Sequence, residues 1–430
     1  MALPLRLGTW RGGAQSKIEN RKSKIPPMPY FDHNATAPLS DAARDAWLRA
    51  QEEAWFNPAS PHRGAARVRA RLEAARARLA ELLGAEPERV VFNSGATEGA
   101  ASALDWWART WPRDRRIAVS PVEHPCVLES ARKFFAGRTA WLEVDADGAV
   151  RLDALEKLLA GGGIGGVAVM AANNETGVIQ PWREIAAACR AARAAYLCDA
   201  TQWLGKLPAA GLGGAAMWAT GSAHKFGGPK GVGFVKLAAQ AEGFCALPGG
   251  GQQRGHRGGT EDFPGAAAMV AALEAAEAET GARTFQPAFS RAGFEAEGRQ
   301  PPAMPAPPWA EERLRWRAEF ERAAPAAAPG ARVVAAGARR LWNTVSLLMP
   351  RGEGHRWVAR LDRRGFQVST GSACATGADG PSHVLAAMRV PPDEARRVVR
   401  VSAGRETSRA DWLALAEALG AVARELEETE

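Results

Sequence analysis

From Gly64 onward the apolar residues Val68, Leu72, Leu79 and Leu82 recur at helical spacing, and Gly84 follows where a left-handed C-cap would stand. This predicts a helix lying over a sheet. After it, short apolar runs of strand length (RVVF, RRIAVS, GGVAVMA, AAYLCDA and GVGFVK) alternate with stretches of helical character such as ALDWWART, RLDALEKLLA and PWREIAAACRAAR. Such alternation predicts an α/β domain with a largely parallel sheet. Residues 281–310 break the pattern with Pro, Gly and Ala in AFSRAGFEAEGRQPPAMPAPPW, and read as a surface insertion or linker. Beyond them, a helical stretch over 311–324, a strand at RVVAAG, another at WNTVSLLM and a final helix from Asp411 predict a smaller α+β lobe. No internal repeat is present. Residues 1–27 have no apolar period, and structure signals begin only at PYFDHNATAP. The expected division is a flexible or artefactual tail over 1–27, with a basic targeting leader as the competing reading of it. A segment over 28–44 joining the small domain follows, then a large domain over 45–280, the insertion over 281–310 and a small C-terminal domain over 311–430.

Composition narrows the function classes. A chain of 430 residues, 46% hydrophobic, is long enough for one large core with a second lobe, and too long for a lone binding module. The five cysteines are scattered without metal-ligand or disulfide-framework spacing, which fits a reducing, cytoplasmic setting. No run approaches the ~18 apolar residues that a membrane span needs. The net charge of +8 points toward nucleic acid at first sight, but six Lys or Arg against one Glu in residues 1–27 supply most of it. Elsewhere arginines share helices with glutamates, as in RGAARVRARLEAARARLAELLG, and read as solvated faces. Neither nucleic acid nor a metal is expected as a ligand.

Candidate chemistry gathers in loops that follow the predicted strands. Lys225 lies in ATGSAHKFGGPKGVGFVK, where small neighbours leave room for a planar aldehyde cofactor to reach the amine. A surface lysine in a glycine-rich turn would look the same. Asp199 ends the run AAYLCD, at the carboxyl edge where α/β sheets place ligands. There it suits a protonated ring nitrogen, or else a helix N-cap. Gln202 suits a phenolic oxygen, or the polar side of a first turn. In VVFNSGATEGA the chain passes from a strand through Ala96 and Thr97 into a helix start, an anion site for a phosphate or a plain capping motif. Ser222 and His224 stand ready to complete such a site from the other side. His124, in SPVEHPCVLES, suits stacking on the ring and proton transfer, or a satisfied structural role. Cys374, in QVSTGSACATGADGPSH, has no large neighbour to bury its sulfur and is the candidate nucleophile. Cys189 and Cys198 sit in apolar helix and strand contexts and read as core; Cys126 and Cys245 stay open. Arg400, in VVRVSAGRET, is a candidate fork for a substrate carboxylate, with Arg396, Arg397 and Arg405 nearby as alternatives.

Taken in order, these motifs resemble the cysteine desulfurases of the NifS/IscS type, in the class V aminotransferase branch of fold-type I pyridoxal-phosphate enzymes. The resemblance runs from Tyr30 to about Thr407, through YFDHNATAP, FNPASPHRGA, FNSGATEG, VEHPCVLES, NNETGVIQP, CDATQWLGK, GSAHKFGGPKGVGF, GGGQQRGHRGGTED, NTVSLLM, STGSACATG, GPSHVLAAM and RVSAGRET. It implies a large domain with a mostly parallel seven-stranded sheet and a smaller α+β domain. It further implies Lys225 as the Schiff-base lysine, Asp199 at the pyridine nitrogen, Gln202 at the phenolic oxygen and His124 stacked on the ring. Phosphate contacts would come from Ala96, Thr97, Ser222 and His224. Asn174 would lie beside cofactor and substrate, Arg400 would hold the carboxylate of L-cysteine, and Cys374 would accept the sulfur. Thr260 would reach the cofactor of a partner subunit, which implies a homodimer. The persulfide would pass to an iron-sulfur scaffold or a sulfur-carrier protein. ATAP, GTED and WNT depart from the family's usual wording at positions without a direct chemical role. The rivals are a selenocysteine lyase or aminotransferase using the same Lys225 and Asp199, and a catalytically silent scaffold that binds pyridoxal phosphate.

Overall fold

The computed structural model describes residues 29–214, 217–279, 308–371 and 382–429. The tail over 1–27, nearly all of the Pro-rich stretch and Cys374 lie outside the described residues. The first part of the chain forms helices α1 (Asp41–Glu53), α2 (Arg63–Leu83), α3 (Ala96–Thr110), α4 (Pro125–Phe134), α5 (Leu152–Ala160), α6 (Trp182–Ala191) and α7 (Phe263–Glu279). These flank strands β1 (Val90–Asn93), β2 (Arg116–Val119), β3 (Thr139–Trp141), β4 (Ile164–Ala168), β5 (Ala195–Asp199), β6 (Met217–Ser222) and β7 (Gly233–Lys236). The second part contributes α8 (Pro308–Ala327), β8 (Arg332–Val333), β9 (Thr344–Leu348), α9 (Gly354–Arg363), β10 (Ser369–Thr370), α10 (His383–Ala387), α11 (Pro392–Ala395), β11 (Val398–Ser402) and α12 (Arg409–Thr429).

The seven-stranded sheet has the order β1-β7-β6-β5-β4-β2-β3, and only β7 runs against the others. Buried on both faces, its strands can be almost wholly apolar. One face packs on a cluster that includes Val68, Leu72 and Leu79 of α2, the other on Leu104 and Trp107 of α3. Gly84 takes φ 72° and closes α2 by donating its amide to the carbonyls of Ala80 and Glu81, as the sequence predicts.

Two strands escape the hydrophobic pattern, for different reasons. Strand β3 is a three-residue edge whose Trp141 stays 47% exposed, so it lacks a buried run. Strand β6 is fully buried yet reads MWATGS, because neighbours press on it: a Cβ at Gly221 would come within 2.5 Å of Leu204. The strand read at RVVAAG is shorter than its apolar run, since Ala335 at φ 54° ends the extended backbone. The helix expected from residue 311 begins at Pro308.

The second sheet, β10-β11-β9-β8, is wholly antiparallel and packs on α8, α9 and α12 around Val345, Leu347, Trp357, Val399, Val401 and Leu419. The first described residues join this sheet: Tyr30 bridges Gln367, and Asp32 bridges Ser402. From there the chain crosses at Asn34 to the carboxyl ends of β4, β5 and β6. Among the described residues no helix is long and apolar enough to cross a membrane.

Candidate active site

Strands β5 and β6 run side by side with Asp199 opposite Thr220, so Asp199 emerges at the carboxyl edge of the sheet just as β6 turns into Ala223, His224 and Lys225. Asp199 is 5% exposed and accepts the Thr201 amide at 2.9 Å. The amine of Lys225 donates to two main-chain carbonyls, Asn34 and Ala35, both at 2.7 Å. His224, on the same turn, pairs its Nδ1 with the Thr36 hydroxyl at 3.1 Å.

Helix α3 opens at this edge. Its N-cap Gly95 sits at φ 150° and carries no side chain to cap the helix. Ser222 at the end of β6 supplies the missing acceptor, taking the Ala96 amide at 2.8 Å. A hydroxyl and a helix N-terminus thus meet where an anion gains from aligned amide dipoles. Thr97, next in the helix, is exposed.

His124 caps α4 by accepting the Cys126 amide on Nδ1 at 3.2 Å, which leaves the ring proton of the neutral imidazole on Nε2. Burial lowers its pKa; the charge of Asp199 opposes this, while Lys225 and His383 add to it. These four groups therefore share one electrostatic neighbourhood. Burial, aided by Lys225, brings His224 down to about 4. Lys206 is brought to about 7 by burial together with Lys225, Arg405 and Arg400. Its ammonium donates to Gln202 Oε1 at 2.8 Å, which fixes the amide so that Nε2 donates to the Asn34 carbonyl at 2.9 Å. The Cys126 thiol is pushed well above its ordinary value by burial and by Asp199 and Glu123, so it is inert despite lying two residues from His124. Cys189 and Cys198 are buried, as their contexts predict.

Arg400 is 2% exposed at its side chain and already engaged. Nη2 binds Asp32 at 2.6 Å, Nη1 donates to the Asn174 carbonyl at 3.3 Å, and Nε is buried without a partner. Asn174 thus meets Arg400 through its main chain. Thr260 is exposed and is not brought to the other candidates within this chain; its loop is tied to the start of α3 by Arg257, which meets Glu98 at 3.0 Å. Cys374 lies outside the described residues.

Four residues at the site were not singled out by the sequence reading. Asn34 is the hub: its amide donates to Ser402 Oγ, its Nδ2 to the Asn174 carbonyl and Thr344 Oγ1, and its Oδ1 accepts from Asn343. Asp32 pairs with Arg400, and Lys206 orients Gln202. Glu175 is 4% exposed, and burial pushes its carboxyl up to about 7 against the pull of Ser382 and Arg400. The available signal was the polar run FDHNAT, which interrupts no apolar period and has no local reason to be there.

The arrangement suits a ligand with an aldehyde, a basic ring nitrogen and a phosphate. An amine, a buried carboxylate and a helix N-terminus converge for those parts, and buried orphans such as Thr201 Oγ1 and Arg400 Nε await polar partners. Pyridoxal phosphate has all three parts, and the residues present fit it.

Comparison with known proteins agrees. Residues 29–287 match the aminotransferase class-V family. A cysteine desulfurase of Cereibacter sphaeroides is 35% identical over 402 residues, covering 92% of this chain and 96% of that protein. One from Frankia sp. (strain EuIK1) is 37% identical over 400 residues, covering 89% and 88%. Among solved structures, a NifS-like protein superimposes with a TM-score of 0.79 at 28% identity, covering 93% of this chain and 100% of its own. On this footing the chain belongs to the pyridoxal-phosphate-dependent class V aminotransferase family, within its cysteine desulfurase group.

Proposed function

We propose that this protein is a cysteine desulfurase that converts L-cysteine to L-alanine and carries the released sulfur as a persulfide on Cys374. The observation that carries this reading is the convergence of Lys225, Asp199 and His124 at one sheet edge, in a chain 35% identical along nearly all its length to a cysteine desulfurase. Lys225, Asp199, Gln202, Ala96, Thr97, Ser222, His224 and His124 would hold the cofactor. When bound, pyridoxal phosphate supplies a protonated ring that withdraws electrons from the substrate's α-carbon.

The chain's own residues do the rest. Asp199, buried at the end of β5, favours a proton on the ring nitrogen. Lys225 gives up its carbonyl partners on Asn34 and Ala35 and serves as the mobile base and acid at the α-carbon. His124, kept neutral by burial, holds or releases its proton at Nε2 beside Lys225. Arg400 offers Nε to the substrate carboxylate while Asp32 and the Asn174 carbonyl fix its plane. The Cys374 thiolate attacks the substrate's Sγ; an S–S bond forms, the bond from Sγ to Cβ breaks, and a proton returned to Cβ completes alanine.

A homodimer in which Thr260 serves the partner's site belongs to this reading, as does passage of the persulfide to an iron-sulfur scaffold or sulfur-carrier protein. A cytoplasmic location fits the unpaired thiols at Cys126, Cys189, Cys198 and Cys245. The test is intact and peptide mass spectrometry after L-cysteine treatment. One added sulfur on the Cys374 peptide with matching alanine is expected, and C374A should release no sulfide while keeping the bound cofactor's absorbance. Sulfide release by C374A at the parental rate overturns the assignment.

A further inference from the structure

Gly371, after β10, and Ser382, before α10, bracket the stretch that carries Cys374, and both meet one side chain. Glu175 Oε2 accepts the Ser382 hydroxyl at 2.5 Å. A Cβ at residue 371 would stand 3.0 Å from that same oxygen, closer than such contacts ordinarily come, so glycine lets the chain pass beside it. Glu175 is itself fixed at both ends of its peptide unit: its amide donates to Asn173 Oδ1 at 2.9 Å, and its carbonyl accepts Ser346 Oγ at 2.8 Å.

The downstream bracket is pinned twice more. Ser382 Oγ also accepts the Leu385 amide as the N-cap of α10, and His383 donates from Nε2 to the Glu123 carbonyl at 2.8 Å, one residue before His124. On its other side Glu175 shares an electrostatic neighbourhood with Arg400 and follows Asn174, whose carbonyl Arg400 holds. A buried carboxyl is costly unless its lone pairs are used. Here Oε2 takes the Ser382 hydroxyl and lies against Gly371, while the charge of Arg400 acts on the carboxyl from the other side.

We infer that Glu175 is a positioning residue for sulfur transfer: its carboxyl sets Gly371 and Ser382 beside Arg400, and so fixes where both ends of the Cys374 stretch start relative to the bound substrate. This rests on the desulfurase reading of the site. Glu175 reaches no reacting sulfur, so its loss lowers the thiol's chance of meeting the substrate and leaves the substrate's affinity alone.

The experiment compares E175Q, E175A and S382A with the parent as cofactor-loaded proteins, in three measurements. Affinity for L-alanine is read from the bound cofactor's absorbance. Single-turnover persulfide formation on Cys374 is followed by mass spectrometry, and Cys374 alkylation by iodoacetamide is timed without substrate. In S382A and E175A, alanine affinity should stay within about twofold and alkylation should rise severalfold. Persulfide formation should slow by about tenfold to a hundredfold, the range that an ångström of misplacement produces. E175Q, which keeps an acceptor for Ser382, should recover much of the loss. Parental rates of alkylation and persulfide formation in S382A and E175A overturn the proposal; so does a fall in alanine affinity that tracks the loss of persulfide. If the parent itself forms no persulfide, the desulfurase reading fails, while the alkylation rates still decide whether Glu175 tethers the stretch.

Discussion

The β6–β7 hairpin carries a lysine at each end, and the two ends make an instructive pair. At the turn, Lys225 donates to the carbonyls of Asn34 and Ala35; at the far end Lys236, 0% exposed, donates to those of Gly214 and Met217. Each is an amine capped by two main-chain oxygens, eleven residues apart in one glycine-rich sequence. The capping alone therefore does not make a site. What separates the ends is their company. Around Lys225, Asp199 and His124 arrive from other elements, and Ser222 and His224 precede it on its own strand and turn. Around Lys236 the named charges are Arg89 and Glu86, and burial brings its pKa down to about 7.

The sharpest way to break this comparison is to remove each amine. K225A should lose the borohydride-trappable cofactor adduct and fall by roughly 10⁴-fold in sulfide release, the scale of deleting a residue that acts in covalent catalysis. K236M should retain the adduct and most of the activity. Equal losses in the two variants would erase the distinction.

His124 sharpens it next, because it both caps α4 and faces the amine. Asparagine also caps helices, so H124N should unfold near the parental midpoint and still lose about 10²-fold in turnover. H124A should show that same catalytic loss and, in addition, about 1 kcal/mol of stability. Thermal unfolding and initial rates separate the two roles; full activity in H124N would confine the histidine to capping.

The smallest expected effect concerns the far end. Lys236 has a folded pKa lowered to about 7 from 10.5, so the unfolded chain binds more protons between those values and stability rises with pH across that window. Its contribution is present above the unfolded value and is lost as pH falls through 7. Relative to K236M, the parent's unfolding midpoint should climb from pH 7 to pH 10. A pH-independent gap between the two would show that Lys236 stays charged in its burial site.

How far the sequence reveals these ends follows from the range of the forces at work. The helix α2 with its Gly84 cap, and strands β1, β2, β4, β5 and β7, follow from apolar spacing because local periodicity alone selects them. Strand β6, which bears the Lys225 turn, hides behind Ala, Thr, Gly and Ser, since close packing at Gly221 excludes the branched residues that usually announce a strand. Lys225 and Asp199 stand out through small neighbours and position at a strand end. Asn34, Asp32 and Glu175 do not, because their partners are far away in the chain and no local pattern requires them. Arg400 stands out in the sequence only as a candidate fork, and its pairing with Asp32 has no local signal.

The Asn34 junction also bears on how the protein comes into being. Its partners include Lys225, Thr344, Asn343 and Ser402, the last 368 positions further on. Synthesis runs from the N-terminus, so the lysine's resting partner is made well before the residue that anchors it. A nascent chain halted before β11 would hold Lys225 and Asp199 without the anchor that Ser402 provides. Completion of the lysine's resting place thus waits on a residue made well after the lysine itself.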